Sequence, residues 1–273
     1  MNEQVLQDSQ VELEENENKS VIPFDCPAHP HRYHLKCAKQ WIEQKRFEAT
    51  CPCCRAGLSS RWVSMLSDHV TRNQSLLNEQ LIQATKRGAT ALVQALLNAG
   101  ASENAQDRQG WTALMVASSR GHDNVVRLLL NAGASVDVQG QFGMTALMSA
   151  SLNGRKLVAQ MLVNAGATVN VQGQFGMTAL MYASLEGHVE IVRLLLDASA
   201  SVNTQNEYGM TALMLASKDG HMPVVQLLVN AGASVNTQDE YGMTALDFAQ
   251  SRNHEAIVRL LSTSAHQIPY DQQ

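Results

Sequence analysis

The chain has 273 residues, 45% of them hydrophobic and 16% charged, which excludes disorder throughout and suggests one or two folded domains. A net charge of −5 argues against a globally basic nucleic-acid binder. No apolar run of transmembrane length occurs and the start lacks a secretory pattern, so an intracellular protein, cytoplasmic or nuclear, is expected, with no membrane partner.

Residues 1–20 read as an acidic tail. The first 18 hold six acids and no base, the composition of a solvated, disordered segment. Residues 21–58 hold all five Cys and three of the His. They run Cys26-Pro-Ala-His29-Pro-His31-Arg-Tyr-His34-Leu-Lys-Cys37, then thirteen residues, then Cys51-Pro-Cys53-Cys54-Arg55. Reduced thiols and imidazoles at this density suit a tetrahedral zinc ion. So short a segment can scarcely build its own core, so the metal would supply folding energy.

His31-x2-His34-x2-Cys37-x3-Trp41, followed by Cys51-Pro-x-Cys54, resembles the second half of a RING domain. The resemblance implies one zinc held by His31, Cys51, Cys54 and either His29 or Cys26. His34 and Cys37 match half of a second site, whose leading C-x2-C pair has no counterpart here. Three alternatives stay open. The second site is empty and replaced by packing, as in the SP-RING relatives; or it recruits Cys26 or Cys53; or the chain is a shortened product. The resemblance also implies that Trp41 and Pro52 contact a ubiquitin-conjugating enzyme. Arg55 would be the catalytic residue that steadies the charged ubiquitin.

A polar helical linker is expected over 59–77, with Trp62, Met65 and Leu66 on one side. Then a period appears. Trp111-Thr-Ala-Leu, Met144-Thr-Ala-Leu, Met177-Thr-Ala-Leu, Met210-Thr-Ala-Leu and Met243-Thr-Ala-Leu are each 33 residues apart. Counting back once more gives six units over 78–264, starting at 78, 111, 144, 177, 210 and 243. Each reads as two short helices and a turn. Thr112 and its equivalents suit helix N-caps, and Leu114, Ala117 and Ser118 share one face. Gly121, Gly154, Gly187, Gly220 and Asn253 suit left-handed C-caps. Val125, Leu128 and Leu129 give the second helix its apolar stripe. Gly133, Gly166 and Gly232 end that helix, whereas Ser199 predicts a less favourable turn. The recurring His122, His188, His221 and His254 are expected to be structural, since Arg155 takes their place in the third unit. Residues 265–273 are expected to fray.

Period and pattern, as in Asp107-Arg-Gln-Gly-Trp-Thr-Ala-Leu-Met, resemble the ankyrin repeat. Met115, Met148, Met181 and Met214 stand where that family has His and must substitute packing. Asp247 takes the place in the last unit and suits a solvent-facing cap. The fold expected is therefore mostly α: an ankyrin-repeat solenoid of about six repeats behind a small zinc-bound, RING-like α+β module. The resemblance implies a protein substrate on a concave face built from hairpin tips and first helices. The tips hold Arg108 and Gln109, Gln141 and Phe142, Gln174 and Phe175, Glu207 and Tyr208, and Glu240 and Tyr241. With Trp111, Met144, Met177 and Met210 they predict an exposed aromatic and Met stripe, a surface suited to partner binding.

Three functions follow as expectations. The first is a RING-type ubiquitin-ligase-like adaptor, acting without a covalent intermediate. The second is a non-enzymatic ankyrin scaffold with a degenerate structural zinc module. The third, nucleic-acid binding through the basic Cys/His segment, lacks the aromatic and basic interleaving it needs. No phosphate loop, H-E-x-x-H or nucleophile elbow is present.

Overall fold

The computed structural model of the chain describes residues 22–24, 31–33 and 60–265, with side chains from 73 to 264. The chain divides into two compact units, 1–76 and 77–273. In the first, β1 (Ile22–Phe24) pairs antiparallel with β2 (His31–Tyr33), Ile22 facing Tyr33 and Phe24 facing His31. Cys26, His29, His34, Cys37, Trp41, Cys51, Pro52, Cys53, Cys54 and Arg55 lie outside the described residues, and only the backbone of His31 is described. The acidic tail and residues 266–273 also lie outside them.

The helix expected over 59–77 does not stop there. It continues as α1 (Ser60–Lys86), which supplies the first helix of the first repeat. Helix pairs follow: α2 (Thr90–Asn98) completes the first unit, then α3 (Ala113–Arg120) with α4 (Asp123–Asn131), and α5 (Ala146–Leu152) with α6 (Lys156–Asn164). After them come α7 (Ala179–Leu185) with α8 (Val189–Asp197), α9 (Ala212–Lys218) with α10 (Met222–Asn230), and α11 (Ala245–Ser251) with α12 (Glu255–Ala265). The described chain is therefore mostly helical.

The first helices of the second to sixth units start the same way. The hydroxyls of Thr112, Thr145, Thr178, Thr211 and Thr244 accept from the backbone N–H three residues on, which satisfies a donor the helix leaves free. First helices stack on first helices, and second on second. No pair buries its apolar stripe alone, so the core is one continuous cluster from Leu81 to Leu261. Met115, Met148, Met181 and Met214 fill it, each at most 1% exposed. Met214 does more than pack, because its sulfur also accepts the Thr211 N–H at 3.4 Å.

Asp247, in the last unit, does more than face solvent. It is half-buried and accepts from the Thr244 N–H at 2.8 Å and the Thr244 hydroxyl at 2.6 Å. The reciprocal bonds make a capping box. Those contacts, the hydroxyl first, hold the carboxyl below the usual carboxylate range.

The recurring imidazoles bond between units. Nε2 of His188 donates to the Leu152 carbonyl, Nε2 of His221 to Leu185 and Nε2 of His254 to Lys218, at 2.9–3.2 Å. Nε of Arg155 does the same for Ser119. Each bond caps the end of the preceding unit's first helix, where carbonyls lack intrahelical donors. Nε2 of His122 is buried and unpartnered.

Candidate partner-binding surface

Between successive units the chain projects a short finger. Its base is closed by a bond from residue 107, 140, 173, 206 or 239 to the carbonyl of residue 111, 144, 177, 210 or 243. Fingers bond to one another through glutamines 33 residues apart. The side-chain amides of Gln106, Gln139, Gln172 and Gln205 donate to the carbonyls of Gln139, Gln172, Gln205 and Gln238. A second ladder runs beside it. Asn104, Asp137, Asn170 and Asn203 accept from the backbone N–H of Ser135, Thr168, Ser201 and Ser234, at 2.8–2.9 Å. The sequence reading missed both ladders, although the 33-residue recurrence of Gln and of Asn or Asp carried the signal.

The tips come in two kinds. At three fingers a carboxylate or amide at the base folds the turn. Oδ1 of Asp107 accepts from Gln109 and Trp111, Oδ1 of Asn206 from Tyr208 and Met210, and Oδ1 of Asp239 from Tyr241 and Met243. At the other two fingers that base residue is Gly140 or Gly173, with no side chain to accept. There the tip residues Phe142 and Phe175 adopt positive φ, 64° and 60°. Bulky residues rarely take this conformation. Glycine at 140 has a steric reason, since a Cβ there would stand 2.7 Å from the Gly110 carbonyl oxygen.

The structure divides the expected stripe in two. The aromatic half is on the surface: Phe175 is 44% exposed, Tyr208 46%, Phe142 56% and Tyr241 81%. Phe175 and Tyr208 stack across neighbouring fingers, ring centroids 5.9 Å apart and planes at 29°. The Met half is a correction. Met144 and Met210 are only 9% exposed and belong to the core, while Met177 and Trp111 are half-buried against it. The reason is positional. Each directly precedes the Thr N-cap, and its side chain packs against the continuous core beneath the finger.

Nothing else among the described residues is arranged for chemistry. No group of three or more His, Cys, Asp or Glu side chains is placed to hold a metal ion. A depression lined by Gln250, Asn253, Glu255, Val258 and Arg259 holds no nucleophile paired with a base. No helix among them is long and apolar enough to cross a membrane.

A stack of helix pairs sharing one core, linked by projecting fingers with exposed aromatic tips, defines a solenoid repeat protein of the interaction class. The chain belongs to the ankyrin-repeat family: the family model for ankyrin repeats (3 copies) matches residues 81–173, 138–206 and 180–271. No curated protein matches the chain. Repeats of this kind serve protein–protein interaction.

Proposed function

We propose that the fingers hold a protein partner and that the N-terminal module recruits a second protein to it. The observation that carries the first part is the row Phe142, Phe175, Tyr208 and Tyr241, four exposed rings at equivalent places in consecutive units. Contiguous exposed apolar groups mark interfaces, and rigid aromatics are their usual anchors. The triple variant Phe142→Ala, Phe175→Ala, Tyr208→Ala tests it. Capture of crosslinked partners should fall while helix content is unchanged; undiminished capture sinks the reading.

The second part is a RING-type ubiquitin-ligase-like adaptor. In this reading residues 21–58 form the zinc module, 59–77 a linker helix and 78–264 the substrate-binding repeats. What supports it is the ligand spacing and the chemistry of the donor set, thiolate and imidazole, which fits zinc. His31, Cys51, Cys54 and either His29 or Cys26 would hold one ion. His34 and Cys37 would supply half of a second site. Trp41 and Pro52 would meet the conjugating enzyme, and Arg55 would steady the charged ubiquitin. The ligase would act by orienting the thioester for attack, with no covalent intermediate of its own. The competing reading is a scaffold whose zinc module is purely structural.

An autoubiquitination assay with a panel of conjugating enzymes separates the two readings. Chains that disappear in Arg55→Ala support the adaptor; no chains from a zinc-loaded protein favour the scaffold. Running the assay with SUMO in parallel identifies the modifier. Metal counting by mass spectrometry distinguishes one zinc from two, and a metal-free protein overturns the module.

A further inference from the structure

The finger row changes chemistry halfway along. The tips at 141–143 and 174–176 read Gln-Phe-Gly; those at 207–209 and 240–242 read Glu-Tyr-Gly. Glu207, Tyr208, Glu240 and Tyr241 are all exposed. Among the described residues an ion pair joins Lys86 to Asp107 at 3.8 Å, and none reaches Glu207 or Glu240. Asp239 at the base of the last finger adds a third carboxylate, committed through Oδ1 to its own turn.

The whole stack shares this polarity. Residues 78–176 carry seven Lys or Arg against five Asp or Glu, net +2, whereas 177–264 carry four against nine, net −5. Of the four cations in the second stretch, Arg193 and Arg259 are on the second helices α8 and α12. Lys218 ends α9, where it is half-buried, and Arg252 follows α11. The Glu-Tyr fingers therefore sit at the negative end with no cation paired to Glu207 or Glu240 among the described residues, and the Tyr241 hydroxyl holds the Glu240 carboxylate beside its own ring.

We infer that the partner segment, on the finger-binding reading above, is extended and basic. Two Lys or Arg side chains dock on the Glu-Tyr fingers, and apolar side chains lie over the Gln-Phe fingers. A carboxylate beside an exposed phenol ring offers a cation both an ion pair and a ring face. Tyr208 has one face stacked on Phe175, which joins the cation-binding half of the row to the apolar half. Stacked helices repeat every 8–10 Å or so, about three residues of extended chain at roughly 3.3 Å each. The two cations are thus about three positions apart, and apolar side chains continue at that interval toward Phe142.

Selection of a random phage-displayed peptide library on the full chain tests this. Peptides enriched on the wild type should combine apolar residues with Lys or Arg at a three-residue interval. A selected peptide should bind Glu207→Gln/Glu240→Gln about tenfold more weakly, and Glu207→Lys/Glu240→Lys should select acidic peptides instead. Peptides without a basic bias, or affinity unchanged in the Gln variant, overturn the inference and leave the finger reading standing. No enrichment over the Phe142→Ala/Phe175→Ala/Tyr208→Ala variant overturns both.

Discussion

Ser199 occupies the turn after α8 with φ of 64°, where the equivalent Gly133, Gly166 and Gly232 take 83–88°. A non-glycine residue there costs roughly 1–2 kcal/mol. A Cβ at the three glycines would meet nothing within 4 Å, so the side chain at 199 gains little in return. Ser199→Gly should raise stability by about 1 kcal/mol, seen as a higher urea midpoint at unchanged slope. The two left-handed Phe tips invite the opposite comparison. Phe142→Asn keeps the backbone and relieves a strain of about 1 kcal/mol, so the fold should hold or gain stability in thermal melts. Partner capture should drop all the same. A variant that loses stability and still binds would show that Phe142 serves packing between fingers rather than recognition. Ser199 was legible in the sequence, because it breaks a glycine pattern. The Phe tips were legible only as aromatic; their positive φ accompanies glycine at 140 and 173, a link that only the folded turn displays.

At the scale of the element, caps and inter-unit bonds decide where the stack gives way. The Asp247 carboxyl is held below its ordinary value by the Thr244 hydroxyl and N–H. Its contribution is complete above the unfolded Asp pKa, about 3.9, and disappears as pH falls through the lower folded value. Asp247→Asn should flatten the loss of stability between neutral pH and pH 2, measured by urea titrations across that range; an unchanged profile would remove Asp247 from the account. Gly187 and His221 form a second coupled element. Gly187 has φ of 72°, and a Cβ there would stand 2.5 Å from Nδ1 of the His221 ring. Gly187→Ala therefore meets both backbone strain and a collision, whereas His221→Ala loses one 2.9 Å bond to Leu185, worth about 1 kcal/mol. The double variant should cost less than the two singles together, because removing the ring removes the collision. Strict additivity would place the cost of Gly187→Ala in the backbone alone. The sequence showed that this His recurs, and hence that it is structural. Which carbonyl it reaches depends on how units stack, a relation between residues 36 apart that no local pattern reports.

Across the whole molecule one column runs the length of the stack. Thr85, Ser118, Ser151, Ser184 and Ser217 are 0% exposed, 33 residues apart, and their hydroxyls have no hydrogen-bond partner. Each lies on a first helix, at a place the continuous core closes off from water. An unpaired buried hydroxyl costs about 1–3 kcal/mol. Replacing the four serines by Ala should therefore stabilise the stack by several times about 1 kcal/mol, raising its melting temperature in a single calorimetric transition. A fall in stability would reveal partners for these hydroxyls. The sequence placed Ser118 on one helix face with Leu114 and Ala117, and the repeat showed that the face recurs. Its energetic penalty was not legible, since it depends on which neighbours close over it. The solenoid itself was legible because a 33-residue period and a two-helix pattern agree six times. The aromatic tips were read correctly as exposed and the Met beside them wrongly, because alternation within a finger is too short to show which side chain turns inward.

The glutamine and asparagine ladders give four of the five junctions between units the same rungs, and residues 138–148 repeat as 171–181 letter for letter. Removing 144–176 would leave Gly143 followed by Met177, and Gln139 facing Gln205, with each rung still matched to the next. The shortened chain would lose one aromatic tip and keep its register. The span of partner chain that the row can read is thus a property genetics can lengthen or shorten in whole steps, without redesigning the architecture that carries it.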